Sequence, residues 1–186
     1  MDDNKSSDSK FNPDFMMECA RSLKDVCEEL DKRKFEKMKT DTNLFSGTLP
    51  TVPIIMSLAI EIALKAWLIR EQEKNSFPHI HDLVELFDRL KPTTKETLEV
   101  RMRNLSPDWT WTDQPSMINL DPDFQEVLGA TMDPLRTVLD THRNAHMHFR
   151  HLYEKEGISF DKSEMDKALT VIIDAYCEKR GALTKS

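Results

Sequence analysis

At 186 residues, with 39% hydrophobic and 32% charged residues, the chain is long enough for one domain with its own core and short for two. Lysine and arginine number 26 against 33 acidic residues, a net charge of −7, which excludes a general nucleic-acid coat but leaves room for a local basic site. With 4 glycines against 10 methionines, the composition argues against sheets joined by glycine-rich turns and for an all-α fold.

Residues 1–10 are polar and aromatic-free, and 1–11 reads as a disordered tail. Asn12-Pro13 then places a capping side chain before a proline at the first helical position. Met16, Cys19, Leu23, Val26, Cys27 and Leu30 recur at helical spacing and predict a helix to about Lys39, with Cys19 and Cys27 as buried thiols on its stripe. Neither they nor Cys177 shows CxxC spacing. After a loop at 40–51, residues from about Val52 to Lys74 form the most apolar helix, with Ile55, Leu58, Ala59, Ile62, Ala66 and Ile69 on a wide stripe; this is the expected central helix.

Asn75-Ser76-Phe77-Pro78 ends it, and a short helix follows over 81–90, stopped by Lys91-Pro92. Thr93 or Thr94 caps a fourth helix reaching about Asn104, with Glu96 as capping-box partner. Ser106 to Leu120 is aperiodic and reads as a loop, and its Trp109 and Trp111 either stack on a base, line a pocket or anchor the loop to the bundle. Asp121-Pro122 and Asp133-Pro134 repeat the cap-then-proline signal, predicting a short helix at 122–130 and a longer one from Pro134 to about Lys155. A last helix spans Lys162 to Lys179. The expectation is one domain over 12–180, an up-and-down bundle of about five to six helices, with a tail at 181–186. No signal-peptide pattern opens the chain and no apolar stretch is expected to reach the length of a membrane span, which points to the cytoplasm and no membrane partner.

Four of the six histidines fall within His142-Arg143-Asn144-Ala145-His146-Met147-His148-Phe149-Arg150-His151, which holds two arginines and no acid inside an acidic chain. In helical phase, Leu135, Val138, Leu139, His142, His146 and Phe149 share one stripe, whereas Asn144, His148 and His151 lie opposite. Three readings compete. His142 and His146 have the spacing of metal ligands on a helix, but no HExxH glutamate or third ligand accompanies them. The histidines can instead belong to an interaction module. Or the cluster is a phosphodiester site, with arginine holding phosphate and histidine moving protons.

The spacing of Arg143-Asn144-Ala145-His146-Met147-His148, an arginine with a polar follower and a histidine after four intervening residues, resembles the catalytic signature of the HEPN domain family. SLAIEIALKAWLIRE at 57–71, then HIHDLVELFDRL at 79–90, is similar to that family's apolar helix with an internal Glu and Lys and its His-Asp-Leu helix start. FRHLYEKE at 149–156 is similar to the segment that follows its motif. The likeness covers about residues 50–180, in order. In HEPN toxins paired with nucleotidyltransferase antitoxins a tyrosine stands two residues after the catalytic histidine; this chain has Arg150 there.

The resemblance implies an HEPN-like bundle and metal-independent RNA cleavage by 2′-hydroxyl attack, with no cofactor. The setting it implies is a toxin or phage-defence protein, with RNA as substrate and an antitoxin or regulatory protein as partner. Arg143, His148 and Asn144 are the implied catalytic residues; Arg150, His151, Lys65 and Glu61 are candidates for substrate binding, the last two also reading as a plain i,i+4 helix pair. A homodimer placing two such sets in one cleft would supply both proton-transfer groups. The competing reading is a non-catalytic HEPN-like module that binds a nucleotide, RNA or a protein.

Overall fold

In the computed structural model, which describes residues 11–37, 51–72, 79–105, 133–145 and 160–183, every element among the described residues is an α-helix. Helix α1 (Pro13–Lys37) starts where the sequence supplies its cap: Asn12 Oδ1 accepts the N–H groups of Asp14 and Phe15 at 3.0 and 3.1 Å, and Pro13 follows where no N–H is needed. Helix α2 (Thr51–Gln72) is followed by the short α3 (Leu83–Asp88), whose cap Asp82 accepts from Val84 and Glu85 at 2.9 and 3.0 Å. Helices α4 (Pro92–Leu105), α5 (Pro134–Thr141) and α6 (Lys162–Leu183) complete the described elements, α6 running past the expected end at Lys179.

Two caps differ from the sequence expectation, and both for a tertiary reason. Helix α4 opens on Pro92 rather than after Thr93 or Thr94. Thr94 Oγ1 instead donates to Glu71 at the end of α2, whose other oxygen takes the Lys91 N–H at 2.8 Å. Asp133 makes no side-chain cap bond. Glu99 of α4 reaches across to accept the N–H groups of Leu135 and Arg136 at 2.8 and 2.9 Å, so a buried carboxylate from another helix caps α5. Burial pushes the Glu99 carboxyl up to about 7, against the downward pull of those two donors.

Helix α2 lies at the centre, with α1, α3 and α6 packed on it, while α5 contacts α3, α4 and α6. Fourteen of the 22 residues of α2 are buried, on all sides of the helix, which is what an all-round apolar helix requires. The expectation that no stretch reaches membrane-span length fails here, since Thr51–Gln72 is long and apolar enough. Yet 78% of its apolar window is covered by the chain's own helices. Trp67 Nε1 donates to the Ile172 carbonyl at 3.1 Å and meets the Tyr176 ring edge-on at 5.2 Å; the Tyr176 hydroxyl lies 3.0 Å from Asp14 Oδ1, so α2, α6 and α1 are joined.

On α1 the buried line is Met17, Ala20 and Cys27, with Met16, Leu23 and Leu30 partly buried beside it. Cys19 is half-buried, and Val26, expected on the stripe, is 45% exposed. The apolar line of α1 is thus centred on Met17, Ala20 and Cys27, leaving Val26 at its edge. Burial pushes the Cys27 thiol up to about 11, the state of an inert core thiol.

Candidate active site

Leu135, Val138, Leu139 and His142 are all buried, as their shared stripe implies. The helix that carries them does not run on to Lys155, however. It ends at Thr141, and His142–Asn144 form a turn. The local bonds tighten to three-residue spacing, from Arg143 N–H to Asp140 O at 3.3 Å and from Ala145 N–H to His142 O at 2.9 Å. The Arg143 carbonyl accepts the Leu83 N–H at 3.3 Å. A partner about sixty positions earlier in the chain thus holds this turn just past the helix end, and the turn breaks the phase that was to carry the stripe onward.

His142 fastens this turn. The Asp161 N–H donates to its Nε2 at 2.9 Å, so the ring hydrogen is on Nδ1, which lies 2.8 Å from the Val138 carbonyl and donates to it. The ring also packs edge-on against Phe160 at 5.2 Å. Both nitrogens are engaged in joining α5 to the start of α6, so His142 in this conformation has none to offer a metal. Among the described residues no three His, Cys, Asp or Glu side chains gather as a metal site.

Arg143, the next residue, is turned outward, its side chain 45% exposed. Its Nε lies 3.4 Å from Asp82 Oδ2 and its Nη2 lies 3.0 Å from Asp140 Oδ1. Asp82 therefore does two jobs, capping α3 with one oxygen and holding the guanidinium with the other. With its carbonyl tied to Leu83, Arg143 is fixed through main chain and side chain alike. Asn144 sits beside it, half-buried.

The residue before Asp82 extends the site. His81 Nδ1 lies 3.0 Å from Glu61 Oε1, and the same oxygen accepts Lys65 Nζ at 2.7 Å. The Lys65 and Glu61 side chains are 2% and 6% exposed, whereas that of His81 is 63% exposed. The i,i+4 pair read from the spacing is present, but it lies inside the bundle with one histidine leading outward.

Of the sequence candidates, Glu61 and Lys65 in the middle of α2 are linked through His81 to the start of α3, which meets Arg143, with Asn144 beside it, just past the end of α5. His148, Arg150 and His151 lie outside the described residues, as do His146, Phe149, the Trp109/Trp111 loop, the helix expected at 122–130 and residues 1–10 and 184–186 of the tails; residues 181–183, expected in the C-terminal tail, belong to α6. His81, Asp82 and Asp140 were not singled out from the sequence as site residues. The His-Asp pair was legible only as a helix start, because its link to Glu61 spans 20 residues and another helix. Compared with family models, with curated proteins and with solved structures, the chain shows no match.

Proposed function

We propose that this chain is a metal-independent endoribonuclease of HEPN type, working as a cytoplasmic toxin or phage-defence protein. The observation that supports this reading best is the exposed Arg143, fixed by its carbonyl and by two carboxylates at the end of α5. A guanidinium so held can present its remaining N–H groups to a phosphate in one orientation, where its planar fork matches the oxygens. In this reading Arg143 stabilises charge building on the phosphate, His148 transfers a proton and Asn144 steadies the imidazole or the ribose. Arg150 and His151 hold the RNA strand. Glu61 and Lys65, being buried, act behind the surface rather than on the ligand. Two copies form a homodimer that joins their Arg/His sets in one cleft, and an antitoxin or regulatory protein restrains it.

The test is incubation of the pure protein with end-labelled RNA in EDTA. The reading expects cleavage with 2′,3′-cyclic phosphate and 5′-hydroxyl ends, none on a strand carrying 2′-deoxyribose at the scissile position, and none by His148→Ala. RNA binding without cleavage would overturn it in favour of the non-catalytic module.

A further inference from the structure

We propose that His142 is a proton-operated latch: while neutral it ties the start of α6 to the turn that carries Arg143, and on protonation it gives up the Asp161 N–H to Glu164. The inference concerns how this turn is held, and it stands whether or not Arg143 serves RNA cleavage.

The argument starts from the first turn of α6. Asp161 stands just before that helix, and its Oδ1 accepts the Glu164 N–H at 3.0 Å. A capping residue followed three positions later by glutamate is the capping-box pattern, in which the glutamate carboxylate reaches back to the N–H of the cap itself. Only half of that exchange is made here. The Asp161 N–H goes instead to His142 Nε2 at 2.9 Å. Glu164 gives Oε1 to Lys167 Nζ at 2.7 Å, and its Oε2 is buried with no hydrogen-bond partner among the described residues. A buried oxygen left without a donor is costly and calls for a reason. The reason offered by the sequence is that one N–H has two acceptors, of which this conformation uses the histidine.

The protonation state of the ring selects between them. A neutral imidazole accepts at one nitrogen, whereas an imidazolium donates from both and accepts at neither. With the Nδ1 hydrogen on the Val138 carbonyl at 2.8 Å, a second proton can go only to Nε2, where it meets the Asp161 N–H. Two donors then face each other and the bond is lost. The ring is 4% exposed and packed edge-on against Phe160, which leaves little room for water to take the place of the lost acceptor. Glu164 Oε2 completes the capping box in its stead. The charged groups at this junction are Asp161, Glu164 and Lys167 on α6, Lys162 with its partner Asp31 of α1, Asp140 and Arg143 at the end of α5, and Asp82 before α3. Once the latch opens, the bonds shown here that still hold the turn from outside α5 are those of Leu83 and Asp82. The residue after the latch is Arg143, so acid loosens the turn that presents the guanidinium.

The experiment is nitrogen-15 NMR of the full chain at about pH 7.5 and about pH 5, either side of the ordinary histidine value near 6.5, with helix content followed by circular dichroism. At the higher pH, a nitrogen–nitrogen coupling across the hydrogen bond should join the Asp161 amide to His142 Nε2, and the ring should be the Nδ1–H tautomer. At the lower pH that coupling should vanish as Nε2 gains its proton, with helix content unchanged. The Asp161 amide should stay protected from hydrogen exchange at both pH values in wild type. In Glu164→Ala its protection should fall at least about tenfold at the lower pH alone. A coupling that persists at the lower pH, or the Nε2–H tautomer at the higher, overturns the latch. Loss of helix throughout the chain at the lower pH overturns it as a local device. Asp161 protection in Glu164→Ala equal to wild type at the lower pH overturns Glu164 as the second acceptor. The wild-type coupling decides the role of His142 even if that variant does not fold.

Discussion

Replacing Lys65 by methionine removes one charge from a pair whose side chains are 2% and 6% exposed and whose atoms stand 2.7 Å apart. At that separation two unit charges attract by about 6 kcal/mol with an effective dielectric near 20, before the cost of taking both out of water. The net worth of the pair is far smaller, but Lys65→Met leaves Glu61 buried with only His81 among the partners shown here, and an uncompensated buried charge costs about 3–5 kcal/mol. Glu61→Leu should also destabilise, because it removes the carboxylate that accepts Lys65 Nζ at 2.7 Å. The double variant Glu61→Leu/Lys65→Met should recover most of that loss, because neither charge remains and the volumes are nearly kept. The assay is urea unfolding followed by far-ultraviolet circular dichroism, with the four members of the cycle compared at unchanged denaturant slope. Lys65→Met within about 0.5 kcal/mol of wild type would refute the reasoning, since surface substitutions do no more than that. So would single losses that simply add in the double variant.

Glu99 gives the stability a pH dependence of definite sign. Its carboxyl is raised from 4.5 to about 7 by burial, so the folded state binds the proton more tightly than the unfolded chain. The contribution is full below about 4.5 and lost as pH rises through about 7, a change on the order of 3 kcal/mol. Glu99→Gln should remove that part of the slope between pH 5 and 8 in urea melts; an unchanged slope would count against it. Asp140→Asn leaves Arg143 with one carboxylate in place of two, so RNA affinity should rise severalfold at low salt and lose the gain at high salt. Equal affinity at all salt concentrations would mean that the guanidinium does not meet phosphate.

What the sequence made legible was local. Asn12 before Pro13 marked the start of α1, and the wide apolar stripe read from about Val52 to Lys74 marked the central helix, although Leu58 of that stripe is exposed, because capping and burial patterns are written in neighbouring residues. What it hid was held by distant partners. Glu99 replaces Asp133 as the cap of α5, Glu71 draws Thr94 away from capping α4, and Leu83 draws the Arg143 carbonyl out of a helix that periodicity extended to Lys155. The site divides the same way. The Arg143-Asn144 motif and the Glu61/Lys65 spacing could be read from the chain, whereas the two carboxylates on Arg143 include one from the start of α3, and the histidine that faces outward from Glu61 comes from there too.

The central claim is that Arg143 serves a phosphodiester reaction, and the rate of RNA cleavage by Arg143→Lys, in EDTA and beside Arg150→Lys, tests it most directly. An ammonium keeps the charge but cannot make the two parallel bonds of a guanidinium, so Arg143→Lys should lose most of its rate with the fold intact. Arg150→Lys should keep most turnover and mainly weaken RNA binding. Full activity in Arg143→Lys, and above all in Arg143→Ala, would contradict the account.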